Sequence, residues 1–224
     1  MTALHHTAFH RPRSLPHILT VPDTPKFAPS PRLTAAFEYA CQLHAKQARK
    51  GTTIPYVAHL MAVAALVMEH GGGEDEAIAA LLHDAIEDQN HDGSVPAEIG
   101  ARFGPKVLAL VEACSDSEGP NDKPPRQERK EAYLAHLRTA PANVRLISAA
   151  DKLHNARAIL EDYRRMGDDL WERFTEGRDE QLRYYRNLVT ALRKADYGGQ
   201  SRALVDQLDE VVTALETEVD RAAL

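Results

Sequence analysis

The adjacent pair His83-Asp84, followed by Glu87 and Asp88 in AALLHDAIED, is the segment of this 224-residue chain best equipped for chemistry. Imidazole and carboxylate groups both ligate divalent cations, and this pair offers them from neighbouring positions. On one α-helix Glu87 would lie four residues from His83 and three from Asp84, with Asp88 four from Asp84. Four polar groups would then share a face at the edge of an apolar run. The plain alternative is a solvated helix end, but that sets two acids at the unfavourable end of the helix dipole, a conflict that a bound cation would relieve. Two further polar residues stand inside apolar stretches, His59 in IPYVAHLMAVAAL and Asp151 in ISAADKLHNARAI. Singly, each reads as a satisfied core residue. Together His59, His83, Asp84 and Asp151 form an ordered H…HD…D donor set suited to a divalent metal.

The elements that must position these groups are helical. From Pro31 onward helical patterns alternate with turn signals, and no run alternates as a strand would, so the fold class is all-α. The first helix is expected over about Leu33 to Arg49, with Phe37, Tyr39, Ala40 and Leu43 packing inward, and the second over about Tyr56 to His70. Three glycines, 71 to 73, break the pattern before Glu74 and Asp75 open a third helix carrying AIAALLHDAIED. A short helix and a Gly104-Pro105 break lead into KVLALVEACSD. Residues 115 to 125 crowd Gly, Pro, Asn and Asp into a loop that could act as a lid. Helices resume over about Arg126 to Arg138, Asn143 to Arg165, Asp168 to Ala195 and Ser201 to Ala223. Residues 1 to 30, rich in Pro and holding His5, His6, His10 and His17 without periodicity, read as an irregular arm, and residues 31 to 224 as one helical domain.

Composition narrows the partners. The formal charge is −6, so the net field favours neither nucleic acid nor an anionic membrane, and an anionic small substrate would need local basic groups. No segment approaches the roughly 20 apolar residues of a membrane span, and no signal-peptide progression opens the chain, which predicts a cytoplasmic protein. Cys41 and Cys114 read as packing thiols in a reducing compartment, with no disulfide framework. The sequence does not specify an oligomeric state.

Four segments in this order, HAKQARKGTTIPYVAHLMAVAALV, AALLHDAIED, FGPKVLALVEACSD and LISAADKLHNAR, resemble the hydrolase domains of RelA/SpoT homologues within the HD superfamily. The resemblance spans about Leu33 to Tyr185, and KPPRQERKEAYLAHL further resembles the bacterial small alarmone hydrolases. It implies a manganese-dependent enzyme that removes the 3′-pyrophosphate of ppGpp or pppGpp, with His59, His83, Asp84 and Asp151 as metal ligands and Glu87 and Asp88 as the catalytic acids. Glu87 is the expected water activator and Asp88 its partner. The same resemblance carries Arg49, Lys50, Asn155 and, loosely, Tyr185 of YYRNLV to the nucleotide. An arginine can stack on a purine, and an asparagine can hydrogen-bond a base or ribose. Lys123, Arg126, Arg129 and Lys130 could reach a pyrophosphate, although each reads as a solvent-facing charge when taken alone. His44, Lys46, Lys152 and His154 sit near the motifs without an assigned task. The chain departs from the family where Leu60 follows His59 in place of Pro and Lys152 follows Asp151 in place of Arg. The competing readings are another nucleotide phosphatase, such as an NADPH 2′-phosphatase, and a non-catalytic nucleotide sensor. Residues 168 to 224 are expected mainly to support packing.

Overall fold

The longest helix organises the molecule, and its sequence explains why. In this computed structural model, which describes residues 24–117, 119–120, 123–195 and 199–222, ten α-helices run in chain order. They are α1 (Pro31–Leu43), α2 (Val57–Glu69), α3 (Glu74–Leu82), α4 (Ala85–Gln89), α5 (Val95–Phe103), α6 (Pro105–Cys114), α7 (Arg126–Leu137), α8 (Ala142–Met166), α9 (Gly177–Ala195) and α10 (Arg202–Ala222). No strand occurs among the described residues, as the all-α expectation requires. Within α8 the run Leu146 to Asp151 is buried on every side, so this helix is enclosed where an amphipathic one would show a polar face. Helices α2, α3, α6, α9 and α10 and a 3₁₀ segment, Gly167–Arg173, all pack against it. One hydrophobic core runs through the described residues from Ala36 to Val219.

Local chemistry sets the helix ends. Ser30 accepts from the Arg32 N–H at the start of α1, and Glu76 reaches back to accept from the Gly73 N–H at the start of α3. Pro96 and Pro105 occupy first-turn positions of α5 and α6, where a missing N–H costs nothing. The Glu74 and Asp75 carboxylates sit in the first turn of α3 as expected, and Arg32 ties Asp75 to α1 at 2.9 Å.

Several expectations are corrected. Helix α1 stops at Leu43, six residues early, because the chain turns to form a short antiparallel bridge between Ala48 and Pro55. Arg49 and Lys50 therefore sit on a loop, and Gly51 at φ +71° takes the left-handed turn behind them. The HD segment does not lie on one helix: α3 ends at Leu82 and α4 starts at Ala85, with His83 and Asp84 at the junction. Glu87 and Asp88 thus occupy the first turn of α4, the favourable end for acids, and the expected dipole conflict does not exist. The single helix expected over Asp168 to Ala195 is split by the 3₁₀ segment and by a turn at Gly177, φ +73°. Phe37 is 38% exposed rather than packed, whereas Tyr39 and Ala40 are buried. Residues 1–23, including the four arm histidines, lie outside the described residues.

Ile147 is fully buried in the enclosed stretch of α8. Its replacement by alanine is expected to lower unfolding free energy by about 2–5 kcal/mol, read from urea midpoints. A loss below about 1 kcal/mol would mean that α8 is not the packing axis.

Candidate active site

Three separate segments bring the polar groups together. His59 comes from the first turn of α2, His83 and Asp84 from the α3–α4 junction, and Asp151 from the buried middle of α8. One donor atom from each of His59, His83 and Asp151 fits within a 4.8 Å separation. Asp84 joins them: its Oδ2 lies 3.0 Å from His83 Nε2 and 3.6 Å from His59 Nε2. Asp151 Oδ1 lies 3.3 Å from His59 Nε2 and 3.7 Å from His83 Nε2.

The imidazole hydrogen bonds decide what this cluster can hold. His83 Nδ1 donates to the Ala80 carbonyl at 2.8 Å, so the lone pair of the neutral ring is on Nε2, facing the carboxylates. His59 Nδ1 lies 2.8 Å from His154 Nδ1. Burial, with the nearby His59 and Arg49, draws the His154 pKa down to about 4, so His154 is a neutral ring able to accept that proton. Both Nε2 atoms are buried and have no hydrogen-bond partner. Acceptor lone pairs facing carboxylate oxygens repel unless a cation lies between them. The protons respond accordingly. Burial opposes charge on His83, but Asp84 and Asp151 outweigh it and hold the ring well above its ordinary pKa. Burial likewise raises Asp84 and Asp151, yet their cationic neighbours hold both well below the carboxylate range. Two imidazoles and two carboxylates at this spacing fit a divalent cation.

A surrounding layer orients the four. Tyr56 donates to Asp84 Oδ2 at 2.5 Å, Lys152 to Asp151 Oδ2 at 2.6 Å and Asn155 Nδ2 to Asp151 Oδ1 at 2.5 Å. Lys152 makes a single contact to Asp151 and lies 5.0 Å from the Tyr133 ring centroid. Arg49 donates to Asn155 Oδ1 at 2.7 Å, which ties the α1–α2 loop to α8.

The acids Glu87 and Asp88 line the same cleft, about 820 Å³ in volume. Lys123 lies 3.1 Å from Glu87 and 3.6 Å from Asp88, and Arg129 lies 3.3 Å from Glu87. Burial, then the Asp116 and Asp84 charges, push Glu87 up to about 7, with Lys123 pulling the other way. Gln47 donates to Asp88 Oδ2 at 2.8 Å, while its Oε1 accepts from Gln89 at 2.5 Å and lies 2.7 Å from His44 Nδ1.

Arg49, Lys50, Asn155 and Tyr185, the residues expected at the nucleotide, all line the cleft. Tyr185 is buried in the core, however, while its neighbour Tyr184 is half-buried and reaches Lys130. Lys130 corrects the solvent-facing expectation outright, being 8% exposed. Sequence reasoning also passed over Tyr56, Gln47 and Asp116. Tyr56 could have been found three residues before His59, where a helical turn places it beside the ligand; nothing marks Asp116 within its loop.

The model of a protein family described as HD domain matches residues 36–179, which contain every one of these groups except Tyr184 and Tyr185. The chain belongs to the HD-domain family. This HD domain is 36% identical over 128 residues to the guanosine-3′,5′-bis(diphosphate) 3′-pyrophosphohydrolase MESH1 of Xenopus tropicalis, covering 55% of this chain and 67% of that protein. It is 34% identical over 134 residues to the Homo sapiens protein of the same name, covering 57% and 69%. A probable enzyme of this activity from Synechocystis is 35% identical over 134 residues, 59% of this chain but only 17% of that protein. Among solved structures, a metazoan orthologue of SpoT described as hydrolysing ppGpp superposes with a TM-score of 0.65 at 26% identity, covering 83% of this chain and 96% of that one. The protein lmo0812 of Listeria monocytogenes gives 0.60 at 26% identity, covering 72% and 99%. Helix α10 lies beyond the HD-domain match and packs on α8 and α9 without lining the cleft, whereas α9 contributes Gln181, Tyr184 and Tyr185 to its wall. Among the described residues no helix is long and apolar enough to cross a membrane.

Proposed function

We propose that this HD domain is a (p)ppGpp 3′-pyrophosphohydrolase, converting ppGpp and water to GDP and pyrophosphate. The observation that carries the reading is the pair of buried, unpartnered Nε2 atoms facing Asp84 and Asp151 in a cleft that also holds the Glu87–Asp88 pair. His59, His83, Asp84 and Asp151 would hold a divalent cation, in our reading Mn²⁺, which suits mixed imidazole and carboxylate ligation. When bound, it supplies Lewis-acid chemistry: polarisation of a phosphoryl oxygen and a lowered pKa for water. Glu87 then accepts the proton of the attacking water, and Asp88, held by Gln47, assists it. Lys123 draws the raised Glu87 pKa back down, and with Arg129 it borders the space that a pyrophosphate would fill. Arg49, Lys50, Asn155 and a tyrosine of the 184–185 pair contact the nucleoside side. The continuous core from Ala36 to Val219 supports treating residues 31–224 as one catalytic domain.

The test is product analysis after metal-stripped protein meets ppGpp, with and without added Mn²⁺, beside an Asp84→Ala control. Metal-dependent GDP and pyrophosphate, absent from the control, are expected. Folded, metal-loaded protein that leaves ppGpp intact would sink the reading.

The acid limb of the pH profile follows from Glu87. A general base works deprotonated, so kcat/KM falls as pH drops through its pKa. That pKa is raised to about 7, and a neighbouring cation acts in the same sense as Lys123, so the limb of the loaded enzyme lies at or below about 7. Removing an anion that raises it, by Asp116→Asn, moves the limb to lower pH, and removing a cation that lowers it, by Lys123→Met, moves the limb higher. Shifts of the same sign in both variants would show that Glu87 is not the titrating base.

A further inference from the structure

Lys130 is a buried charge for which the hydrolytic reading has no task. It stands in the second turn of α7, 8% exposed, on the wall of the cleft. Its Nζ is buried without a hydrogen-bond partner and lies 4.4 Å from the centroid of the Tyr184 ring. An ammonium taken from water with no acceptor is costly, and an aromatic face returns only part of that cost. The protein does little to neutralise it. The largest charges acting on Lys130 are those of Arg126, Glu176, Arg129 and Arg183, three cations to one acid, and Glu176 is already engaged by Arg126 at 3.2 Å. Burial, then the Arg126 charge, draws its pKa down to about 8, as for a group that gains from an incoming anion.

Its neighbours indicate which anion. Lys123 and Arg129 are occupied by Glu87, Asp88 and Asp116. The largest charges acting on Lys130 come from outside the His–Asp cluster and the Glu87–Asp88 pair. A nucleotide that presents its 3′ arm to those groups brings a second polyanionic arm, at the 5′ position, into the same cleft. We propose that Lys130, seated on the ring of Tyr184, is the subsite for the 5′-diphosphate arm of the nucleotide, a group that takes no part in bond cleavage. The inference rests on the hydrolytic reading above only for the assignment of the 3′ arm.

Calorimetric titration of the metal-loaded full chain with GDP and with guanosine tests it, on wild type, K130M and K130Q. Wild type is expected to bind GDP at least about tenfold more tightly than guanosine, the scale of a charge-assisted hydrogen bond. Both variants are expected to erase most of that preference while leaving guanosine affinity within about twofold, and K130R to retain it. K130Q keeps a polar head in place, so it carries the test if K130M does not fold. A folded neutral variant that still prefers GDP as wild type does overturns the subsite. The two readings fail separately: protein inert toward ppGpp that binds GDP through Lys130 loses the hydrolytic function and keeps the subsite. Hydrolysis with a GDP affinity indifferent to Lys130 does the reverse.

Discussion

Replacing His83 with alanine is expected to abolish turnover and to lower divalent-metal affinity by at least about 100-fold. Even partners one layer out from a metal cost about 10–100-fold when lost, and His83 belongs to the layer inside. Its Nδ1 is committed to the Ala80 carbonyl, so no rotation of the ring would offer a second role. Substitution leaves Asp84 and Asp151 facing His59 with one donor fewer. The check is metal content by elemental analysis after dialysis, alongside ppGpp turnover at saturating Mn²⁺. A variant that retains stoichiometric metal and more than about a tenth of the activity would remove His83 from the centre. Rescue of turnover by millimolar metal would instead show weakened affinity with the chemistry intact.

Glu87→Gln separates the metal from the proton. The side chain keeps its size and its reach toward Lys123 and Arg129 but cannot take up a proton. The expected loss in kcat is about 10²–10⁴-fold, the usual contribution of a positioned general base, with metal content unchanged and KM moved far less. A variant within about threefold of wild type would transfer the role to Asp88. The matching Asp88→Asn variant then tells which carboxylate works on water.

Much of this site was legible in the sequence because its signals are polar residues in apolar surroundings. His59 and Asp151 stand out within helices whose other residues face the core, and the structure brings them to His83 and Asp84 as the pattern implied. The helix period carried the fold equally well, and α7, α8 and α10 end within one or two residues of expectation. The failures share a cause. Whether a helix continues past Leu43 or breaks at His83 depends on where Gln47 and Asp84 find partners, and those partners, Asp88, Gln89 and Tyr56, lie 28 to 42 residues away. Local propensity holds no record of such contacts. The burial of Lys130 was missed in the same way, since a lysine beside three other basic residues looks solvated until α9 is laid across it.

The centre draws one ligand set from positions 59, 83–84 and 151, and no two of these segments are close enough in sequence to meet without the tertiary fold. An unfolded chain can offer a metal only scattered side chains, so the ion binds almost solely to the native state. Metal concentration therefore becomes a thermodynamic handle on folding: at a hundred times its dissociation constant, the ion adds about 2.7 kcal/mol to stability. Chelation should accordingly lower the melting temperature of the whole helical assembly, α10 included, although that helix never approaches the cleft.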